Sequence, residues 1–195
     1  MTARPLDFDP GRPDLRARAF VRHCPAVLDP TTCAAIIADA EARGFAAAPI
    51  NGPGGPAMRP DVRNNRRVMY DDPPRAADLF ARLAPWLPDR VGPARPIGLN
   101  ERFRVYRYTA GQRFDWHHDG WFERRPGERS RLTVLFYLSA GYAGGRTEFE
   151  GIAVDAGPGD ALIFAHGMLH RGAPVESGTK YVLRSDVMYR DDPSA

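Results

Sequence analysis

The segment Tyr108-Thr109-Ala110-Gly111-Gln112-Arg113-Phe114-Asp115-Trp116-His117-His118-Asp119 decides how the rest of the chain is read. Gly111 marks a turn, and Phe114 to Asp119 read as extended backbone beyond it. In such backbone, residues two apart share a face. His117 and Asp119 therefore point together, and His118 points away. An imidazole and a carboxylate so placed can grip one metal ion from two corners. A third donor must come from elsewhere. His170 is the best placed, because it follows the apolar run Leu162 to Phe164 and opens the next turn; His166 is the alternative. Two His and one carboxylate on one face suit iron(II) oxygenases, since three coordination positions stay open. Zinc is disfavoured, because there is neither an HExxH helix nor a Cys pair.

Working outward, Phe103 to Tyr108 alternates apolar and polar residues, as a half-buried strand does. Leu132 to Leu138 is almost continuously apolar, Ala161 to Phe164 is a shorter run, and Tyr181 to Tyr189 alternates again. Gly144-Gly145, Gly157-Pro158-Gly159 and Gly178 punctuate them as turns. Before the segment, Phe20 to Leu28 reads as a first strand. Asp29-Pro30 reads as an N-cap and first helical residue, with Cys33, Ile36, Ile37 and Ala40 on one face and Gly44 as the stop. Residues 46–60 read as a loop. A second helix is expected from Asp72-Pro73, with Leu79, Phe80 and Leu83 buried and Pro85 and Pro88 ending it. The sum is two N-terminal helices packed on a β-sandwich or barrel, with no repeat and no linker.

The chain has 195 residues, enough for one domain. The expected layout is a loose arm over 1–18, helical support over 19–99 and the β core over 100–190. Net charge is only +3, and Arg66-Arg67 and Arg124-Arg125 are the basic pairs. Solvated surface charge is the expectation, and a nucleic-acid groove is not indicated. Cys24 and Cys33 lack a CxxC spacing, and Cys33 is expected as a reduced core thiol. No signal peptide and no membrane span are read, so a cytoplasmic location is expected.

An iron oxygenase of this kind needs a reductant that also chelates the metal, and a 2-oxo acid does so. Its distal carboxylate must meet a cation inside the barrel, because a buried unpaired carboxylate is costly. Of the 27 basic residues 26 are Arg, so Lys180 stands alone of its kind. By alternation Lys180, Val182 and Arg184 share one face of the last strand. Arg184 is the rival cation; it could pair with Asp186 or with the cosubstrate. The Thr133 hydroxyl and the Tyr108 phenol are candidate donors to the same carboxylate.

These residues resemble the 2-oxoglutarate and iron(II) dioxygenases of the prolyl 4-hydroxylase type. The pattern YxxGxxFxxHxD stands here as Tyr108, Gly111, Phe114, His117 and Asp119. RxTxLxYL stands as Arg131, Thr133, Leu135, Tyr137 and Leu138, and GGxTxF as Gly144, Gly145, Thr147 and Phe149. The strand Gly159 to Phe164 leads to His170, Gly172, Pro174, Val175, Gly178 and Lys180, with the family's fixed elements offset by one residue after His170. The resemblance implies a double-stranded β-helix, or jelly-roll, core. It implies His117, Asp119 and His170 as iron ligands and Lys180 on the distal carboxylate, assisted by Tyr108 and Thr133. It also implies Fe(II) with 2-oxoglutarate as cosubstrate, and ascorbate as an auxiliary reductant. With Asp119 present, hydroxylation is favoured over halogenation. The family often closes the lysine strand with a Trp; this chain offers Arg184 and Asp186 instead.

The expected activity is hydroxylation of an unactivated C–H bond in a prolyl or other protein side chain or a small amino-acid-like molecule. A non-catalytic jelly-roll binder and a nucleic-acid demethylase of the same chemistry are the alternatives. Trp121, Phe122, Arg124 and Arg125 in the 120–130 loop are candidate lid residues for an anionic or peptide substrate.

Overall fold

The computed structural model describes residues 20–52 and 55–191; the arm expected over 1–18 lies outside the described residues. Two capped helices begin the architecture. Asp29 accepts from the Thr32 amide at 2.8 Å and starts helix Pro30–Arg43, and Asp72 accepts from the Arg75 amide at 3.0 Å to start helix Pro73–Leu83. Each has Pro in its first turn, where no amide hydrogen is missed. Among the described residues no helix is long and apolar enough to cross a membrane.

Both helices cover one face of a nine-stranded antiparallel sheet. Its order is Val21–Cys24, Ala161–Ala165, Glu128–Tyr137, Thr179–Asp191, Arg102–Thr109, Arg66–Asp71 and Ala46–Ala47. Ala94–Leu99 adds to the strand Thr179–Asp191, and Glu123–Arg125 to Glu128–Tyr137. A second sheet of four strands, in the order Ile152–Val154, Thr147–Phe149, His170–Gly172 and Phe114–His117, faces the other side. The result is the expected jelly-roll with flanking helices.

Strand alternation sorts the side chains of the larger sheet into two layers. Phe103, Val105, Val134, Phe136, Ile163 and Leu183 pack against Ile36, Leu79 and Leu83 of the helices. On the opposite face Tyr137, Leu162, Phe164 and Val182 meet Phe149 of the smaller sheet. Covered on both faces, the strand Glu128–Tyr137 reads as a continuous apolar run over Leu132 to Tyr137. Leu79 is 0 % exposed between helix and sheet. Leu79→Ala is expected to cost ~2–5 kcal/mol of stability, read by chemical denaturation; a loss under half a kcal/mol would refute this packing.

The stretch 19–99 is less helical than its sequence suggests. Arg66–Asp71 and Ala94–Leu99 are full members of the larger sheet. The first escapes notice because Arg66, Arg67 and Asp71 break any apolar alternation, and the second because it contains Pro96 and Gly98. Within 46–60, short strands replace the expected loop at Ala46–Ala47, Ile50–Gly52 and Gly55–Ala57. The first strand is shorter than expected, ending at Cys24 before a turn in which Ala26 takes φ 51°.

Candidate metal and cosubstrate site

The two imidazoles converge because their strands pair: His170 lies directly opposite His117 in the smaller sheet. Their rings stand 4.2 Å apart, and Phe114 stacks on His117 at 3.5 Å. Asp119 follows the end of the strand Phe114–His117, where its amide donates to the His166 carbonyl at 3.1 Å. That bond turns the Asp119 carboxylate toward the larger sheet. One donor atom from each of His117, Asp119 and His170 lies within 4.8 Å of the others.

The surroundings fix the chemical form of each donor. His117 Nδ1 lies 2.7 Å from the Asp115 carbonyl, and His170 Nδ1 lies 2.9 Å from the Met168 carbonyl. A carbonyl only accepts, so both Nδ1 atoms carry the hydrogen and both Nε2 atoms present a lone pair. Burial, and next the neighbouring His170, hold the His117 imidazole down at about 3. Burial likewise lowers His170. Burial alone would raise Asp119, but Arg184 and the two imidazoles more than reverse it and hold the carboxyl well below its usual range. Two neutral imidazoles and one carboxylate stand ready at neutral pH, with no proton to displace. This donor set fits a divalent iron ion.

The carboxylate is itself held from the larger sheet. Thr133 Oγ1 donates to Asp119 Oδ2 at 2.6 Å and lies 2.9 Å from His166 Nδ1, while His166 Nε2 lies 2.9 Å from Ser130 Oγ. Arg184 Nη1 sits 2.7 Å from Asp119 Oδ1, and Arg184 Nη2 sits 3.3 Å from Asp186. Thr133 thus differs from its sequence reading. It is fully buried behind the carboxylate and does not line the cavity, so its hydroxyl serves Asp119. Arg184 does line the cavity, but its charge is already shared by two carboxylates. His166, the alternative third donor, is turned into the Thr133–Ser130 chain. Thr133→Val keeps the shape and removes the donor. It is expected to weaken Co(II) or Fe(II) binding about 10- to 100-fold, measured by metal titration; unchanged affinity would show that the hydroxyl does not orient Asp119.

Beyond the donors a small cavity runs between the sheets. It is lined by Phe114, Leu135, Thr147 and Val182, and reaches Tyr108 and Lys180. Lys180 is 4 % exposed and, among the described residues, faces no carboxylate. Its Nζ donates to the Gly145 carbonyl at 2.5 Å, and the rings of Tyr137, Tyr108 and Tyr142 surround it at 5.1, 5.8 and 5.9 Å. Burial pushes its pKa down to about 8. Gly145 makes this approach possible: at φ 65° a Cβ would stand 2.9 Å from Val175 Cγ2 and 3.3 Å from Lys180 Cδ. Burial lifts the Tyr108 phenol to about 12, so it remains a proton donor toward the cavity. An ammonium without a counter-charge beside a neutral phenol, lining the same cavity as three metal donors, fits a dianionic 2-oxo acid.

Other residues of the site went unread in the sequence. Tyr106 shares the cavity-facing side with Tyr108, which alternation alone could have shown. Thr147 bonds the Tyr137 hydroxyl at 2.7 Å. Arg63 is 4 % exposed, lies over the rings of Phe114 and Tyr106 at 4.3 and 4.6 Å, and has an Nη2 with no partner. No sequence pattern marks it, because it reaches the site through an isolated bridge to Phe114. Conversely, the lid cations are committed elsewhere: Arg124 and Arg125 both pair with buried Glu128, and Arg124 also with Glu101. Trp121 and Phe122 remain exposed.

Comparison with known proteins follows the same residues. Two Arabidopsis thaliana proteins are similar in sequence. One is a probable prolyl 4-hydroxylase 6, 29% identical over a match covering 54% of this chain and 46% of that protein. The other is a probable prolyl 4-hydroxylase 8, 32% identical over 44% of this chain and 41% of that protein. The chain thus spans less than half the length of these curated relatives. Among solved structures, the viral collagen prolyl hydroxylase of Paramecium Bursaria Chlorella virus-1 has the same fold. Its TM-score is 0.63 at 19% identity, covering 87% of this chain and 96% of that one. Residues 103–185, which carry all three donors, Tyr108 and Lys180, match the family model of the 2OG-Fe(II) oxygenase superfamily.

Proposed function

We propose that this protein is an Fe(II)- and 2-oxoglutarate-dependent dioxygenase. It would hydroxylate an unactivated C–H bond of a prolyl or other protein side chain, or of a small amino-acid-like molecule. One oxygen atom of O2 enters the substrate as a hydroxyl; the other enters succinate as 2-oxoglutarate loses CO2. The observation that carries the reading is the pairing of two features in one cavity: three preorganised donors, and a buried lysine without a counter-charge. A non-catalytic binder has no need of both. The viral prolyl hydroxylase of the same fold is known as a 2OG complex, which supports the cosubstrate.

In this reading His117, Asp119 and His170 hold the iron through Nε2, a carboxylate oxygen and Nε2. Bound iron would supply the site for oxygen activation, while the loss of CO2 from 2-oxoglutarate and the substrate C–H bond each give up two of the four electrons that oxygen takes. The remaining work belongs to the chain. The Asp115 and Met168 carbonyls keep both imidazoles in the ligating tautomer. Thr133 and Arg184 keep the carboxylate from turning. Lys180 would bind the distal carboxylate of 2-oxoglutarate, and Tyr108 would donate to it. Phe114, Leu135 and Val182 make an apolar wall that excludes water from the reacting end. Ascorbate would serve as an external reductant between turnovers.

The test is succinate release from labelled 2-oxoglutarate with Fe(II) and ascorbate, followed by mass spectrometry of prolyl peptides and free amino acids. The expected product is heavier by one oxygen atom. Absence of metal binding and of any 2-oxoglutarate consumption would leave a jelly-roll binder without turnover.

A further inference from the structure

The cavity-facing side of the larger sheet carries more positive charge than its known tasks use. Arg104 lies opposite Arg184, and Arg67 lies opposite Tyr106, across paired antiparallel strands. Opposed residues share a face, so Arg67, Arg104 and Arg184 crowd the side on which Tyr106 lines the cavity. Arg63 lies over the Tyr106 ring from the neighbouring turn. Burial would raise the Tyr106 phenol, yet Arg184, Arg63 and Arg104 together leave it below its ordinary value. Arg184 is neutralised by Asp119 and Asp186, and Arg104 reaches Asp186 at 3.4 Å. Arg67 is half-buried and, among the described residues, has no carboxylate beside it; its charged neighbours are Arg63, Arg104 and Arg184.

A count of charges says what is missing. Among the described residues Arg67, Arg104 and Arg184 are matched by two carboxylates, Asp119 and Asp186, an excess of one positive charge. Fe(II) and the 2-oxoglutarate dianion cancel one another, so loading the site leaves that excess in place. Half-buried guanidinium groups without acids are costly unless a ligand supplies the anion. Arg67 brings a planar fork without an acid, and its neighbour Arg104 holds Asp186 only at 3.4 Å, so the two match a single planar monoanion. Met69 stands opposite Arg104 on this face and is 39 % exposed, offering apolar contact for the body of such a ligand.

Resting on the dioxygenase reading, we propose that the primary substrate carries a carboxylate, received at the rim of the cavity by Arg67 and Arg104. An acid of amino-acid size places its carboxylate there and its C–H bonds over the metal donors. An acidic residue of a peptide could present the same group.

The experiment uses the full chain loaded with Mn(II) and 2-oxoglutarate under nitrogen, so that binding is read without turnover. Matched probes are titrated by NMR: free and N-acetyl amino acids, and amide-capped peptides with Glu or Asp, each against its uncharged amide. At least one acid is expected to bind tenfold or more tighter than its amide, and the arm that does so identifies a small molecule or a peptide as the source. Arg67→Gln should abolish that preference, as should Arg104→Gln. Arg66→Gln, exposed on the opposite face of the same strand, should retain it. Equal binding of acid and amide, preference for a phosphorylated probe, no binding by any acid, or an unchanged preference in both Arg67→Gln and Arg104→Gln would overturn the inference alone. Failure of 2-oxoglutarate to bind the Mn(II)-loaded protein would instead overturn the dioxygenase reading beneath it.

Discussion

Asp119→Ala is expected to abolish turnover, with activity at least 1,000-fold below the unaltered protein, equivalent to ~4 kcal/mol. Asp119 is the only carboxylate among the three donors, and it bridges the two sheets. Its loss leaves two neutral imidazoles, which bind a hard divalent ion weakly and supply no charge. It also removes one partner of buried Arg184, while Asp186 remains at 3.3 Å. Breaking a buried pair costs ~3–5 kcal/mol, within the ~5–15 kcal/mol of an ordinary domain. The variant should therefore fold with a lowered Tm, and circular dichroism should show native strand content. Metal titration should show loss of tight binding. Near-normal activity in a folded Asp119→Ala protein would refute the donor assignment.

Lys180→Ala is expected to raise the 2-oxoglutarate requirement about 100-fold or more. A charge-assisted bond to a buried carboxylate is worth ~1.5–3 kcal/mol, and stranding the carboxylate costs more. Arg184→Ala should raise it less, because Arg184 is already engaged by Asp119 and Asp186. Its larger effect should fall on metal affinity. The reverse order in 2-oxoglutarate titrations would show that Arg184 is the cosubstrate cation. The lysine also sets a pH dependence. In the ligand-free fold it loses its proton near pH 8, below its ordinary value, because burial disfavours the charge. The ammonium is the form that binds. Affinity should thus be level below pH 8 and fall above it, by up to about tenfold per pH unit. The unfolded chain holds this proton to about pH 10.4, so between those values it binds more protons than the fold. The lysine's contribution to the stability of the ligand-free protein should therefore rise with pH across that window. Affinity constant from pH 7 to 9.5 would remove Lys180 from the cosubstrate site.

Those two residues illustrate which parts of the site the sequence exposes. Lys180 stands at a position whose facing follows from strand alternation, whereas Asp119 lies just past its strand and is turned by the bond of its amide to the His166 carbonyl. His170 needed only the knowledge that its strand would pair with that of His117, and the fixed-spacing motifs supplied it. Thr133 shows the opposite case. Its facing was legible, but its partner was not, because the choice between the cosubstrate and Asp119 depends on how far the Asp119 turn reaches toward the larger sheet. Arg124 and Arg125 were legible as charges, but their commitment to Glu128 depends on the hairpin that Glu123–Arg125 forms with the next strand.

The sequence by itself determined the local order of this protein: the capped helices, the alternating strands, the turns at glycine, and a spacing that puts His117 and Asp119 together. These follow from short-range sterics and from the periodicity of apolar residues, which act over a few positions. Only the tertiary structure decided the partners: Arg184 on Asp119, Thr133 behind the same carboxylate, Arg63 over two rings, and Arg67 left without an acid. Coulombic and hydrogen-bonding choices are made by whichever groups the sheets bring within a few ångströms, and residues distant in the chain leave no periodic trace of meeting.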